Sequence, residues 1–329
     1  MRTSAVGRET GTGAPAAPPR PRPGRWAFHA DEFVPLDEAR LPLTTQGLHY
    51  GTGVFEGIRG YAGADGRVHL FRLAEHYRRF LRSCRLMRVD LGHSAAELAD
   101  ITVELLARNG FSSDSYVRPL AYKLGLLPGT APGVGLSGVS DALSIVASEL
   151  GDYTPAGGLR CVVSSWRLPR RDTLPAQAKI TGGYVTNALA LEEARAAGCD
   201  DAIMLTADGR VGEATTANVF VVQDGVLHTP PVSTGILAGV TRDTVLALAA
   251  ELCLPATEAD LDPADLVLGE ELLLTGTGIG IAPVVELDGR PIGDGAPGPV
   301  GARLAETYQR VVRAEHPGRT SWLTTVGPR

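Results

Sequence analysis

Apolar residues recur at helical spacing in two stretches near the front of the chain. Residues 72–87 carry Leu73, His76, Tyr77, Phe80, Leu81 and Cys84 on one side, and residues 95–108 repeat the pattern with Leu98, Ile101, Leu105 and Leu106. Both spacings predict amphipathic helices. Residues 26–35 read as a short extended segment, the Ala64-Asp65-Gly66-Arg67 turn joins two strands, and the runs at 116–122 and 142–148 read as strands. The loop between the latter two, 126–140, is rich in Gly and Pro and marks either a mobile segment or a cover for a site. After Gly157-Gly158 the pattern gives strand 159–165, helix 186–197 stopped by Gly198, and strand 201–206. It continues with helices 241–253 and 263–268, strands 271–276 and 284–287, and helix 300–314. Asp208-Gly209 and Asp224-Gly225 mark tight hairpins. Strands interleaved with helices and hairpins predict a mixed α/β fold.

The length, 329 residues, is enough for two cores, and the double glycine places a domain boundary near Ala156. This divides the chain into an amino-terminal arm at 1–25, a small α/β domain at 26–155 and a larger domain at 156–329. The arm is rich in Pro, Ala, Gly and Arg without an apolar core, so it reads as disordered rather than as a secretory signal. No run of eighteen apolar residues predicts a membrane span. A net charge of −6 with dispersed basic residues gives no reason to expect nucleic acid. Cys84, Cys161, Cys199 and Cys253 are widely spaced, which fits reduced cytosolic thiols better than disulfides or a metal site.

Lysine is almost absent. Of the 31 basic residues only Lys123 and Lys179 are lysines. Where arginine serves for generic charge, a surviving lysine is a candidate for chemistry arginine cannot do, because a desolvated amine can lose its proton and condense with a carbonyl. Lys179 precedes the small turn Ile180-Thr181-Gly182-Gly183-Tyr184. Glu213, set among small residues before the apolar run at 218–222, reads either as a solvated hairpin acid or as a partner for a protonated pyridine nitrogen. Gly239-Val240-Thr241 opens a helix and Thr275-Gly276-Thr277-Gly278 ends a strand; either is a mere turn or a phosphate cradle. Tyr116 and Arg118 share one strand face at spacing two, so both can point into one cavity.

Together, Lys179 with Tyr184, Glu213 with Asn218 and Phe220, and Thr234-Gly235-Ile236-Leu237-Ala238-Gly239-Val240-Thr241-Arg242-Asp243 resemble the class IV, fold-type-IV pyridoxal phosphate aminotransferases. Tyr50-Gly51-Thr52-Gly53-Val54-Phe55-Glu56-Gly57-Ile58-Arg59 resembles the branched-chain amino acid aminotransferase branch in particular. The resemblance spans roughly residues 26–315, and several motifs in order weigh more than any one alone.

The resemblance implies a two-domain, D-amino acid aminotransferase-like fold whose larger domain binds pyridoxal 5′-phosphate. Lys179 is implied as the catalytic, cofactor-bearing amine, Tyr184 as partner of the ring's phenolic oxygen, and Glu213 as partner of the ring nitrogen. Arg79, Val240, Thr241, Gly276 and Thr277 are implied at the phosphate. For substrate it implies Tyr116, with Thr277 and Gly278, at the α-carboxylate, Arg118 at the side-chain carboxylate of glutamate, and Tyr50, Phe55, Gly57 and Tyr153 as pocket walls. The implied activity is transamination between a branched-chain L-amino acid and 2-oxoglutarate, by a cytoplasmic homodimer or higher homo-oligomer with no metal.

Rivals on the same scaffold are an aminodeoxychorismate lyase, a D-amino acid or amine transaminase, or a specialised-metabolism aminotransferase; the residues at 50–59 and 116–118 argue against the first three. A non-catalytic binding protein is disfavoured by the joint presence of Lys179, Glu213 and Arg79. The chain departs from the family at Leu150, where bacterial branched-chain enzymes often carry tryptophan, and at Ala217, where a glutamate is common. These departures bear on substrate, not on cofactor.

Overall fold

Two sheets organise the molecule, and the computed structural model describes them over residues 21–125, 133–152, 154–155 and 157–327. In the first sheet the strands follow the order Leu323–Thr325, Val68–Phe71, Ile58–Ala62, Ser115–Lys123, Asp141–Glu149, Trp26–His29 and Glu32–Pro35. Gly53–Phe55 and Arg22–Pro23 pair alongside it, and every pairing is antiparallel. Helices Leu73–Leu86 and Ala95–Asn109 pack here, with Tyr77, Phe80, Leu98 and Leu105 against Ile58, Val117 and Ile145. Each such buried side chain contributes about 1.5–3 kcal/mol. Ser94 and Glu97 form a reciprocal capping box that starts the second helix. Along Ser115–Lys123 the first odd positions are buried, whereas Tyr116 and Arg118 lie on the opposite, partly open face.

The second sheet runs Val211–Ala214, Asp201–Leu205, Leu159–Arg167, Gly280–Leu287, Glu271–Gly276, Asn218–Gln223, Val226–Thr229 and Ala256–Glu258. Asn218 pairs back to Glu213, which closes the first six strands into a ring. Val219 and Val221 join one core with Leu272, Leu274 and Val284. Phe220, Val222 and Leu273 join another, beneath Val245 and Leu248 of helix Val240–Glu251 and Leu304 and Tyr308 of helix Pro299–Val312. Burial on both faces explains why these strands read as continuous apolar runs. Parallel and antiparallel pairs are mixed, so the expected α/β class is the observed one.

Most predicted elements lie within a few residues of the observed ones; four differences have physical causes. The extended segment at 26–35 is a hairpin, turned by Ala30 and Asp31 at positive φ of 51 and 64°. The strand expected at 284–287 begins at Gly280; Pro283 pairs with Leu273, just before the pairing of Val284 with Leu159 begins on the other side, so a missing N–H is tolerated there. Leu323–Thr325 returns from the far end of the chain to the first sheet. Residues 22–24, expected to belong to a disordered arm, run instead along Asp141–Glu149. The rest of that arm, residues 126–132 of the loop at 126–140, and Ala156 at the expected boundary lie outside the described residues.

Lys123 is 3 % exposed. Its ammonium pairs with Asp141 at 2.7 Å and donates to the Arg88 carbonyl at 2.6 Å, fastening the end of one helix to the sheet.

Candidate active site

Lys179 is held from the side of the first sheet. Its carbonyl accepts from the Phe55 N–H at 3.0 Å, its N–H donates to Ser83 Oγ at 3.2 Å, and Thr181 Oγ1 donates to the Gly51 and Gly53 carbonyls at 2.9 and 3.1 Å. A Cβ on Gly51, whose φ is +64°, would lie 2.6 Å from Gly182 Cα, so this approach requires glycine. Helix Tyr184–Ala196 starts immediately afterwards and brings the Tyr184 phenol to Lys179, whose Nζ donates to it. Phe55 backs both: Nζ sits 4.8 Å from its ring centre and the Tyr184 ring meets it edge-on at 4.7 Å. Burial, reinforced by Arg79 and opposed by Glu56 and Glu213, lowers the Lys179 amine to about 8. A share of it is therefore uncharged near neutral pH, the form that attacks carbonyls.

Glu213 stands where the ring of strands closes. Its Oε2 accepts from Asn218 Nδ2 and from the Leu237 N–H, both at 3.1 Å, which leaves Oε1 for a donor within the cavity. Burial raises this carboxyl to about 7, against the Leu237 amide, Lys179 and Arg79. A buried acid so placed is stabilised by a cation brought to it. Asn218 also donates to the Leu237 carbonyl at 3.0 Å and so fixes the segment behind the acid.

At the other end of the cavity, helix Val240–Glu251 begins after Gly239 with no side chain capping its amides. Gly239 has no room for a side chain, since a Cβ would lie 2.0 Å from Asn218 Oδ1. Val240 and Thr241 are buried. Thr275 Oγ1 is buried without a hydrogen-bond partner among the described residues, beside Gly276 and Thr277, which line the same cavity with Arg79, Lys179, Tyr184, Glu213 and Thr241. Free helix amides, a guanidinium and an orphaned hydroxyl suit a phosphate; a raised carboxyl suits a basic ring nitrogen; an amine between them suits an aldehyde. The residues fit pyridoxal phosphate.

A second chamber of about 470 Å³ opens from the first at Arg79, Lys179, Tyr184, Thr216 and Thr277, and adds Phe55, Gly57, Tyr116, Arg118, Leu150 and Gly278. Arg118 donates to the Tyr116 hydroxyl at 2.6 Å and stacks 4.6 Å over the Phe55 ring. Gly57 leaves room for Tyr116, whose hydroxyl would lie 2.2 Å from a Cβ there. Tyr50 is not in this chamber; it ends the short helix Gln46–Tyr50 at the surface, 46 % exposed. Tyr153 lies outside the described residues.

Sequence reading passed over Glu56 and His76. Glu56 is completely buried; its two oxygens accept from Arg79 at 2.6 and 2.8 Å and from His76 at 2.8 Å. Burial alone would push its carboxyl up, but Arg79 and then His76 hold it well below the usual range. The Arg79 guanidinium, also bonded to the Ala238 carbonyl at 2.8 Å, is thereby fixed in orientation. A carboxylate amid small and apolar residues inside the 50–59 motif was the available signal. Arg59, 1 % exposed, was passed over too: it reaches the Gly278 carbonyl at 3.4 Å and pairs with Asp114 and Asp152 at 3.5 and 3.6 Å.

The family model for class IV amino-transferases matches residues 53–287. A probable branched-chain-amino-acid aminotransferase of Aquifex aeolicus is 36% identical over 306 residues, covering 92% of this chain and 96% of its own. The branched-chain aminotransferase of Thermoproteus uzoniensis, solved with norvaline, superposes with a TM-score of 0.88 at 37% identity, covering 92% of this chain and 100% of that one. The T.th. branched-chain amino acid aminotransferase, complexed with N-(5′-phosphopyridoxyl)-L-glutamate, gives 0.87 at 37% identity, with 92% and 99% coverage.

Proposed function

The chain belongs to the class IV aminotransferases, fold-type-IV enzymes that work with pyridoxal phosphate, and on that premise we propose that it exchanges the amino group of a branched-chain aliphatic L-amino acid with 2-oxoglutarate. When bound, the cofactor supplies an aldehyde carbon and an electron-accepting ring. Lys179 would hold that aldehyde and, as a free amine, would take and return the proton at the substrate's α-carbon. Glu213 would hold the proton on the ring nitrogen, and Tyr184 would fix the phenolic oxygen. Val240, Thr241, Gly276, Thr277 and Arg79 hold the phosphate, with Arg79 oriented by Glu56.

The observation that carries the substrate reading is the placing of Arg118 on the Phe55 ring and against Tyr116, in the chamber that Lys179 also lines. Tyr116 with the Thr277 and Gly278 amides takes the α-carboxylate. The aromatic and aliphatic wall accepts a branched chain, and Arg118 accepts a second carboxylate. The T.th. relative, crystallised both with a glutamate adduct and with the branched 4-methylvaleric acid, supports one pocket serving both kinds.

Arg118→Leu is expected to lower the glutamate and 2-oxoglutarate half-reactions by about 2 kcal/mol, roughly 30-fold, since a carboxylate would lose its partner. The leucine half-reaction should change little. Half-reaction kinetics with both donors check this; a parallel fall would mean that Arg118 binds the common α-carboxylate or only supports the site.

The assembly proposed is a cytoplasmic homodimer. Leu43, Leu48 and Tyr50, on and beside one short helix, expose 85, 68 and 46 % of their surface, an apolar group suited to a second copy. The four thiols are free, which fits a reducing compartment, and no helix among the described residues is long and apolar enough to cross a membrane.

A further inference from the structure

We infer that residues 21–24, which precede the stretch resembling the family, form a wall of the substrate cavity and set the size of donor side chain it admits. The inference rests on the functional reading above and deepens it. Pro21 lines the second chamber together with Tyr116, Arg118, Ser148 and Leu150. Arg22 and Pro23 pair antiparallel with Glu149 and Ser148, the residues that lead into Leu150, and the Arg22 guanidinium meets Glu149 at 3.3 Å.

The segment is anchored at its root. Gly24 donates to the Ala147 carbonyl at 2.9 Å. Asn109 Oδ1 accepts the N–H groups of Arg25 and Trp26 at 2.6 and 2.9 Å, and Asn109 Nδ2 donates back to the Trp26 carbonyl at 3.2 Å. A Cβ on Gly24 would lie 2.6 Å from Asn109 Oδ1 and 2.9 Å from the Ala147 carbonyl oxygen, so only glycine lets the chain pass this close. Pro21 and Pro23 fix φ and present no N–H, which suits an outer strand. The pyrrolidine of Pro21 is thus a rigid apolar surface that lines the chamber together with Leu150.

The test is single-turnover kcat/KM of the holoenzyme for alanine, 2-aminobutyrate, norvaline, norleucine and phenylalanine, in wild type, Pro21→Trp, Pro21→Gly and Gly24→Val. A narrowed wall in Pro21→Trp should lower norleucine relative to alanine by ~10-fold or more, the scale of a pocket contact. Pro21→Gly, and Gly24→Val by lifting the strand from the edge, should raise phenylalanine relative to alanine by a comparable ~10-fold factor. Ratios that stay constant across the Pro21 variants overturn the wall while leaving the transaminase reading intact. A wild type that turns over no amino donor overturns that reading, and this inference with it. Cofactor uptake and thermal melting establish that Gly24→Val is folded; if it is not, the opposite shifts of the two Pro21 variants decide alone.

Discussion

Cofactor-loaded Lys179→Ala protein is expected to lose transamination by at least ~10⁴-fold, because one side chain both holds the cofactor and moves the α-proton, and proton transfer alone accounts for up to about that factor. The fold should survive. Nζ donates to the Tyr184 phenol, while the backbone of residue 179, which fastens the segment to Phe55 and Ser83, is unchanged by the substitution. Single-turnover kinetics beside urea denaturation check both halves of the expectation. In wild type, the rate at which cofactor-free protein takes up pyridoxal phosphate should rise with pH and level off above about 8, since burial lowers the Lys179 amine to that value and the neutral form is the reactive one. Wild-type turnover by the variant, or borohydride reduction that places the cofactor on Lys123, would overturn the assignment.

Glu213→Gln is expected to lower the rate by about 10²–10³-fold, the usual loss when one preorganised electrostatic partner of the reaction is removed, while cofactor affinity changes far less. Gln keeps the shape and can still accept from Asn218 and Leu237, but carries no charge to hold a proton on the ring nitrogen. Cofactor-free protein should respond in the opposite sense. The folded carboxyl is raised from 4.5 to about 7, so its burial becomes more costly as pH climbs through that window; the Gln variant should escape this loss of stability. Equal single-turnover rates in the two proteins would make Glu213 a structural hairpin acid.

Local features of this chain were readable where one element decides them. Tyr116 and Arg118 share a face because strand geometry alternates, and the Asp-Gly turns and the helix opened by Gly239 require only local backbone preference. What escaped reading depends on contacts between distant segments. Glu56 acquires meaning only when Arg79, 23 positions later, folds across it. Arg59 matters through Gly278, 219 positions away. The closure that sets Glu213 beside Asn218 is a property of six strands together, and the return of residues 323–325 to the first sheet carries no short-range signal at all. The strand pairing of residues 22–24 was hidden for another reason: a Pro- and Gly-rich composition normally marks disorder, and Asn109, which holds Arg25 and Trp26, overrides it from outside the segment.

The near-absence of lysine has a practical consequence for selective chemistry. Lys123 is sealed between Asp141 and the Arg88 carbonyl, so apart from the chain's own amino terminus the one side-chain amine open to an acylating or aldehyde-bearing reagent stands at the junction of the two chambers. An activated ester of modest size therefore behaves as a titrant of vacant sites on the folded protein, and the share of its label found on Lys179 rather than on the amino terminus counts the molecules that have not taken up cofactor.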